Sequence, residues 1–129
     1  MADIQIEGVS LAEILGWTEA EFDALVLTDK PLVVNIGSAS VLGQFSYADK
    51  ILTVELAQID GGGEGVLPAI TRIAKKAAQI KNAEHIECVV HAIHCANPNL
   101  KLRAHLERTG FEIKQVEGKG EAYFKRISV

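Results

Sequence analysis

A glycine-rich run, Gln58-Ile59-Asp60-Gly61-Gly62-Gly63-Glu64-Gly65-Val66-Leu67, lies near the middle of this chain. It follows an apolar segment, 51–59, that predicts a strand, and it precedes apolar positions at helical spacing over 66–80. Glycines between a strand and a helix let the backbone turn tightly and point several N–H groups one way. With the positive end of the following helix, such N–H groups suit a phosphate. A flexible glycine-rich connection that binds nothing has the same composition, so glycine content alone leaves both interpretations open.

Composition favours one folded domain over residues 1–129. The chain is 48% hydrophobic, and its net charge of −4 argues against a general nucleic-acid or membrane-surface binder. No apolar run is long enough to cross a bilayer, and the first residues do not have the pattern of a signal peptide. We therefore expect a cytoplasmic protein in which Cys88 and Cys95, too far apart along one strand for a disulfide, are both reduced.

Two capping signals precede the first long strand. Ser10 to Glu13 and Thr18 to Glu21 both have the S/T-x-x-E pattern that begins a helix, and Trp17 is placed to pack on the second helix. That helix is expected to end near residue 27, with an apolar stripe formed by Phe22, Leu25 and Val26.

Alternating and apolar runs predict the remaining elements. The expected fold class is α+β, with a mixed sheet flanked by helices: an antiparallel meander, a β-loop-α-β crossover and a C-terminal hairpin. The predicted strands cover 3–9, 32–36, 41–47, 51–59, 86–93, 111–116 and 121–127, and a last helix begins at 97–98 and ends at Gly110.

This order resembles the GCN5-related N-acetyltransferase (GNAT) fold family over nearly the whole chain. The family's pyrophosphate loop has the form Q/R-x-x-G-x-G/A, and Gln58, Gly61 and Gly63 match it. A second motif, an asparagine before a helix that ends in Gly-Phe, corresponds to Asn99 and to Gly110-Phe111.

The resemblance implies a site for acetyl coenzyme A, used as a co-substrate. The N–H groups of the glycine loop would hold its pyrophosphate, and the end of the preceding strand would pair with its pantetheine arm. The implied cofactor-binding residues are Leu56, Gln58, Gly61, Gly62, Gly63, Glu64, Gly65 and Asn99.

Acyl transfer to an amine needs a base for the amine, a donor for the thioester oxygen and a proton for the leaving thiolate. Glu55 is the best-placed candidate base, and Asp49 is the second. A solvent-facing strand residue is the plainer interpretation of Glu55. The family often carries a tyrosine as general acid at the position of Leu106, which cannot donate a proton, and Tyr123 would substitute only if the fold brings it to the site.

Histidines and cysteines around the central strand raise the question of a metal or a nucleophile. His85, His91, His94 and Cys95 lack a second ligand cluster elsewhere in the chain, so no metal site is expected. Neither cysteine has the histidine and acid partners of a catalytic thiol.

Two functions follow from the resemblance. The leading one is an N-acyltransferase that moves acetyl from acetyl coenzyme A to an unknown amine, and a longer acyl group is a weaker variant of it. The alternative is a catalytically inactive GNAT-fold interaction protein, which the loss of the tyrosine favours. The short N-terminal helices leave either an open site for a large acceptor or a site completed by a second subunit in a homodimer.

Overall fold

The computed structural model describes residues 4–28, 30–36, 39–60, 66–91, 100–116 and 118–128. Within these ranges the chain forms eight strands and four helices. The strands are β1 Ile4–Ile6, β2 Val9–Ser10, β3 Leu32–Ile36, β4 Ala39–Ala48, β5 Ile51–Asp60, β6 His85–Val90, β7 Glu112–Val116 and β8 Gly120–Ser128, and the helices are α1 Leu11–Leu15, α2 Glu19–Leu25, α3 Val66–Lys81 and α4 Leu100–Arg108.

All eight strands belong to one mixed sheet, in the order β2-β1-β3-β4-β5-β6-β8-β7. β5 and β6 run parallel and are connected through α3, whereas the other described pairs are antiparallel. The expected α+β class, with a meander, a crossover and a C-terminal hairpin, is confirmed.

The first predicted strand is wrong in one respect, because the chain reverses within it. Glu7 and Gly8 both have positive φ, 50° and 84°, and β1 pairs back on β2. Positive φ at both central residues is the geometry of the tight two-residue hairpin turn, and glycine adopts it at little cost. The predicted strand 3–9 is therefore a small hairpin.

The N-terminal helices begin where the capping signals place them. Ser10 caps α1 by accepting from the N–H of Glu13, and Thr18 and Glu21 form a complete capping box on α2. Trp17 packs edge-on against Phe22 with ring centroids 6.2 Å apart, so the expected contact at the start of α2 is confirmed. Leu25, however, is 51% exposed, since α2 buries only the turn that carries Phe22.

The helices pack on one face of the sheet. Leu52, Val54 and Leu56 of β5 are at most 3% exposed, whereas the alternate residues Thr53 and Glu55 are only partly buried. α3 lies on the buried face, and both α1 and α2 contact it there. Glu55 therefore belongs to the face opposite the helices.

The last helix packs through Leu106. Leu106 is fully buried, whereas Leu100 at the start of α4 is 71% exposed. Gly110 follows with a φ of 97°, the left-handed conformation expected of a glycine that ends a helix. None of the described helices is long and apolar enough to cross a membrane.

Candidate functional site

The described pairing of the parallel strands ends at Leu56. β5 and β6 pair from Ile51 to Leu56, and the N–H of His91 donates to the carbonyl of Leu56 at 2.9 Å. β5 then continues to Asp60 paired with β4 on its other side. No residue in the described part of the chain pairs with the β6 side of β5 beyond Leu56.

β5 also bulges at this point. Between the pairs Leu42–Ala57 and Ser40–Asp60, β4 advances by two residues while β5 advances by three. A bulge of this kind leaves an extra residue out of the ladder and turns its backbone groups to a new direction. A backbone N–H redirected in this way could serve as the donor that the thioester oxygen needs.

Glu55 is held by two partners that sequence reasoning did not assign to it. Its Oε1 accepts from Lys119 Nζ at 2.6 Å, and its Oε2 lies 2.6 Å from His91 Nε2. The three side chains are partly buried, at 23% exposure for Glu55, 27% for His91 and 34% for Lys119. We call this set the Glu55 cluster.

These contacts set the charge on Glu55. Burial works to raise its pKa, but the hydrogen bonds and charges of Lys119 and His91 outweigh burial, so the pKa lies below its ordinary value of 4.5. Glu55 is therefore a carboxylate at neutral pH, with both oxygens engaged.

An open pocket of about 530 Å³ adjoins the cluster, and its lining includes both His91 and Lys119. Gln115, Gly120 and Glu121 of the C-terminal hairpin complete the lining. A small polar group could therefore approach the Lys119 ammonium from solvent.

A larger groove of about 750 Å³ lies on the other face, between α3 and α4. It begins at the first turn of α3, at Leu67, and its apolar floor includes Leu56 and Val90 at the end of the parallel pair. Its described lining includes the cations Arg72, Lys75 and Lys125 and no Asp or Glu. Arg126 also lines it, but its guanidinium is ion-paired with Glu87. An apolar floor with cations beside it suits a long ligand that carries phosphate.

Tyr123 lies on the helix-covered face. In the sheet register Leu56 pairs with Val90, and Val90 pairs with Tyr123, so these three residues share a row and a face. Glu55 pairs with Val89 in the adjacent row, on the opposite face. The structure does not bring the two predicted catalytic residues together on one face.

The Tyr123 hydroxyl is bound to α4. It donates to Glu107 Oε2 at 2.9 Å and accepts from Arg103 Nε at 3.1 Å, and the residue is fully buried. Leu106, at the position of the family's tyrosine, is fully buried as well. The general-acid role of Tyr123 stays a prediction.

Of the predicted cofactor-binding residues, Leu56 is described in full. It is 3% exposed and forms part of the groove floor. Gln58 is described only as backbone of β5, and the other predicted cofactor-binding positions, Gly61, Gly62, Gly63, Glu64, Gly65 and Asn99, lie outside the described residues.

The remaining candidate residues are either distant from this site or unsuited to the predicted role. Asp49 occupies the β4–β5 turn at the opposite end of β5 from the bulge. Burial raises the pKa of the Cys88 thiol to about 11, although Lys125 opposes this, so Cys88 is not a thiolate nucleophile at neutral pH. In the described part of the chain, no three His, Cys, Asp or Glu side chains are close enough together to hold a metal ion, and His94 and Cys95 lie outside that part.

Local sequence carries no signal for the Glu55 cluster. His91 and Lys119 lie 36 and 64 residues from Glu55 along the chain. Lys119 sits in a glycine-containing turn whose composition predicts only a reversal. The pairing of β6 with both β5 and β8 is what brings the three side chains together.

No protein-family model and no curated protein matches this chain. Among solved structures, it is similar to an acetyltransferase from Thermus thermophilus, at 13% identity and a TM-score of 0.45 over 98% of this chain and 97% of that one. It is also similar to a GNAT-family acetyltransferase from Listeria monocytogenes, at 11% identity and a TM-score of 0.39 over 91% of this chain and 81% of that one.

The strand order itself is the most informative feature. A meander leads into a bulged strand, a helix connects that strand to a parallel neighbour, and a hairpin closes the sheet. This is the order that the resemblance to the GNAT fold family predicts. The end of the parallel pair at Leu56 has the helix-side groove on one face and the Glu55 cluster on the other.

Proposed function

We propose that this protein is an N-acyltransferase that uses acetyl coenzyme A and transfers the acetyl group to a primary amine. One observation carries the proposal: a bulged strand lies between a groove with cations in its lining on one face and an ionised carboxylate on the other. A cofactor with phosphates and a long flexible arm would occupy the groove, and the amine would approach from the face of Glu55.

Each part of the site would have a separate task. The edge of β5 beyond Leu56 would bind the amides of the pantetheine arm, as a neighbouring strand would. A backbone N–H at the bulge would donate to the thioester oxygen as it gains charge. Glu55 would bind the ammonium form of the acceptor and take its proton, and His91 would orient the carboxylate.

The leaving thiolate needs a proton. The Tyr123 hydroxyl donates to Glu107, so it could protonate the sulfur only after that hydrogen bond breaks. A coenzyme A thiolate is a tolerable leaving group near neutral pH, so solvent can supply that proton. We therefore assign the essential proton transfer to Glu55.

A second candidate function is supported by the same region. Leu106 and Tyr123 are fully buried and both oxygens of Glu55 are engaged, as would be expected of a GNAT-like interaction protein that has lost the reaction. The proposed homodimer and the cytoplasmic location stay predictions under either function, as does the absence of nucleic-acid and membrane partners.

The test is release of free thiol from acetyl coenzyme A with a panel of primary amines, for the wild type and Glu55→Gln. We expect Glu55→Gln to lower the rate by roughly 10²- to 10⁴-fold, the usual contribution of a general base. Glu84→Gln is the matched control, because Glu84 forms an exposed ion pair with Lys50 at 3.6 Å, away from the bulge. Equal rates for the wild type and Glu55→Gln would contradict the assignment, and no turnover with any amine would favour the interaction protein.

A further inference from the structure

The amine that contacts Glu55 belongs to the chain itself. Lys119 Nζ lies 2.6 Å from Glu55 Oε1, although 64 residues separate the two in sequence. Lys119 sits in the turn between β7 and β8, where its N–H donates to the carbonyl of Val116 at 2.9 Å. The turn is therefore anchored, and it presents a primary amine to the carboxylate that would receive an acceptor amine.

Space for the reaction exists beside this amine. The 530 Å³ pocket is lined by Lys119 and His91, and the Lys119 side chain keeps 34% of its surface exposed. The Leu56 carbonyl bound by the His91 N–H lies at the end of the parallel pair, one residue before the bulged part of β5. A thioester bound at the bulge would lie next to the contact between Leu56 and His91, and the His91 side chain bonds the same carboxylate as Lys119.

We propose that Lys119 is an internal acyl acceptor, which the protein acylates on Nζ from a bound acyl coenzyme A. This inference rests on the proposed function. Glu55 takes a proton from the ammonium, and the freed lone pair attacks the thioester carbonyl carbon. A C–N amide bond forms as the C–S bond breaks, so an ammonium and a thioester become an amide, a thiol and one released proton.

Acylation would change the site for the next acceptor. An amide carries no positive charge, so acylated Lys119 cannot hold Glu55 as an ion pair. Oε1 of Glu55 would then be free to receive an external ammonium, while His91 stays on Oε2. Self-acylation would in this way free the acceptor site, which the Lys119 ammonium occupies in the unmodified protein.

The experiment follows site-specific acetylation of the purified full-length protein with acetyl coenzyme A, by intact mass and by peptide mapping over time. Lys114 of the same hairpin is the internal reference, since its ammonium lies over the Phe124 ring, 5.0 Å from the ring centroid, rather than against a carboxylate. We expect Lys119 to be labelled at least about tenfold faster than Lys114, at a fractional rate independent of protein concentration.

Variants and a binding measurement separate the possible outcomes. Glu55→Gln should slow labelling of Lys119 to the rate of Lys114, and Lys119→Arg should remove the fast site while Lys114→Arg leaves it unchanged. Suppose that calorimetry shows binding of coenzyme A, but Lys119 of the wild type is labelled no faster than Lys114. This result would overturn the self-acylation and leave the proposed function intact. Absence of both cofactor binding and fast labelling would overturn both.

Discussion

Glu55 is the charged, partly buried side chain at the centre of the candidate site. It is a carboxylate on a sheet face without a described helix. Lys119 of the C-terminal hairpin forms an ion pair with it, and His91 at the end of β6 forms a hydrogen bond with it. A partly buried carboxylate needs such partners, because desolvation of an unpaired charge is costly. The same partners keep it ionised, and the Lys119 ammonium occupies the position on Oε1 that an external ammonium would take.

The lowered pKa of Glu55 predicts how its contribution to stability changes with pH. A carboxyl whose pKa is lower in the folded state stabilises that state above its unfolded pKa, and this contribution is lost as pH falls through the folded value. The free energy of unfolding should therefore differ most between the wild type and Glu55→Gln above pH 4.5, and the difference should shrink below it. Urea denaturation at a series of pH values measures this, and a difference that grows as pH falls would contradict the direction of the shift.

Tyr123→Phe separates a supporting role from a general-acid role. The variant removes a buried hydroxyl that is bound to Glu107 and Arg103, so we expect a loss of about 1–3 kcal/mol in the free energy of unfolding. We expect kcat of the folded variant to change by less than about tenfold, below the usual contribution of a general acid. Tyr47→Phe, which removes a hydrogen bond to the Lys81 carbonyl at 3.2 Å, is the control. A hundredfold or larger loss of kcat confined to Tyr123→Phe would establish the acid role.

At the scale of elements, the region before the first long strand is governed by local sequence. The Thr18–Glu21 capping box and the Trp17–Phe22 contact fix the start of α2 without help from distant residues. Because such devices act over three to five residues, the sequence pattern predicts them directly.

Thr18→Ala tests this local control. The substitution leaves the N–H of Glu21 without its capping oxygen, and we expect a loss of about 1 kcal/mol in the free energy of unfolding. Thermal or urea denaturation measures it, with Ala20→Ser, an exposed position inside the same helix, as a control expected to change little. Equal stability of Thr18→Ala and the wild type would show that α2 does not depend on its cap.

Sheet elements divide into those that alternation predicts and those that it does not. The apolar positions of β5 and the crossover through α3 follow from periodicity. The reversal at Glu7-Gly8 does not, because Ile4 and Ile6 alternate up to the turn and Gly8 fits the same face. The opposite faces of Glu55 and Tyr123 depend on the registers of two different strand pairs. Register is set by tertiary packing, so sequence reasoning placed both residues on the right strands without relating their faces.

At the scale of the whole molecule, two surfaces of different charge lie on opposite faces of the sheet. The helices cover one face and leave a groove with cations in its lining, and the other face presents the Glu55 cluster. A ligand bound at the end of the parallel pair would meet apolar and basic groups on one side and a carboxylate on the other. This is the polarity required to bring an acyl donor and an amine together from opposite directions.

Binding of acetyl coenzyme A is the central claim, and isothermal titration calorimetry tests it most directly. The wild type should bind with roughly micromolar affinity. Gly63→Glu, which places a bulky negative charge in the Q-x-x-G-x-G sequence, should abolish that binding, while Gln79→Glu adds the same charge on the exposed surface of α3 and should leave it nearly unchanged. No heat up to millimolar acetyl coenzyme A, or equal affinity in Gly63→Glu and the wild type, would contradict the account.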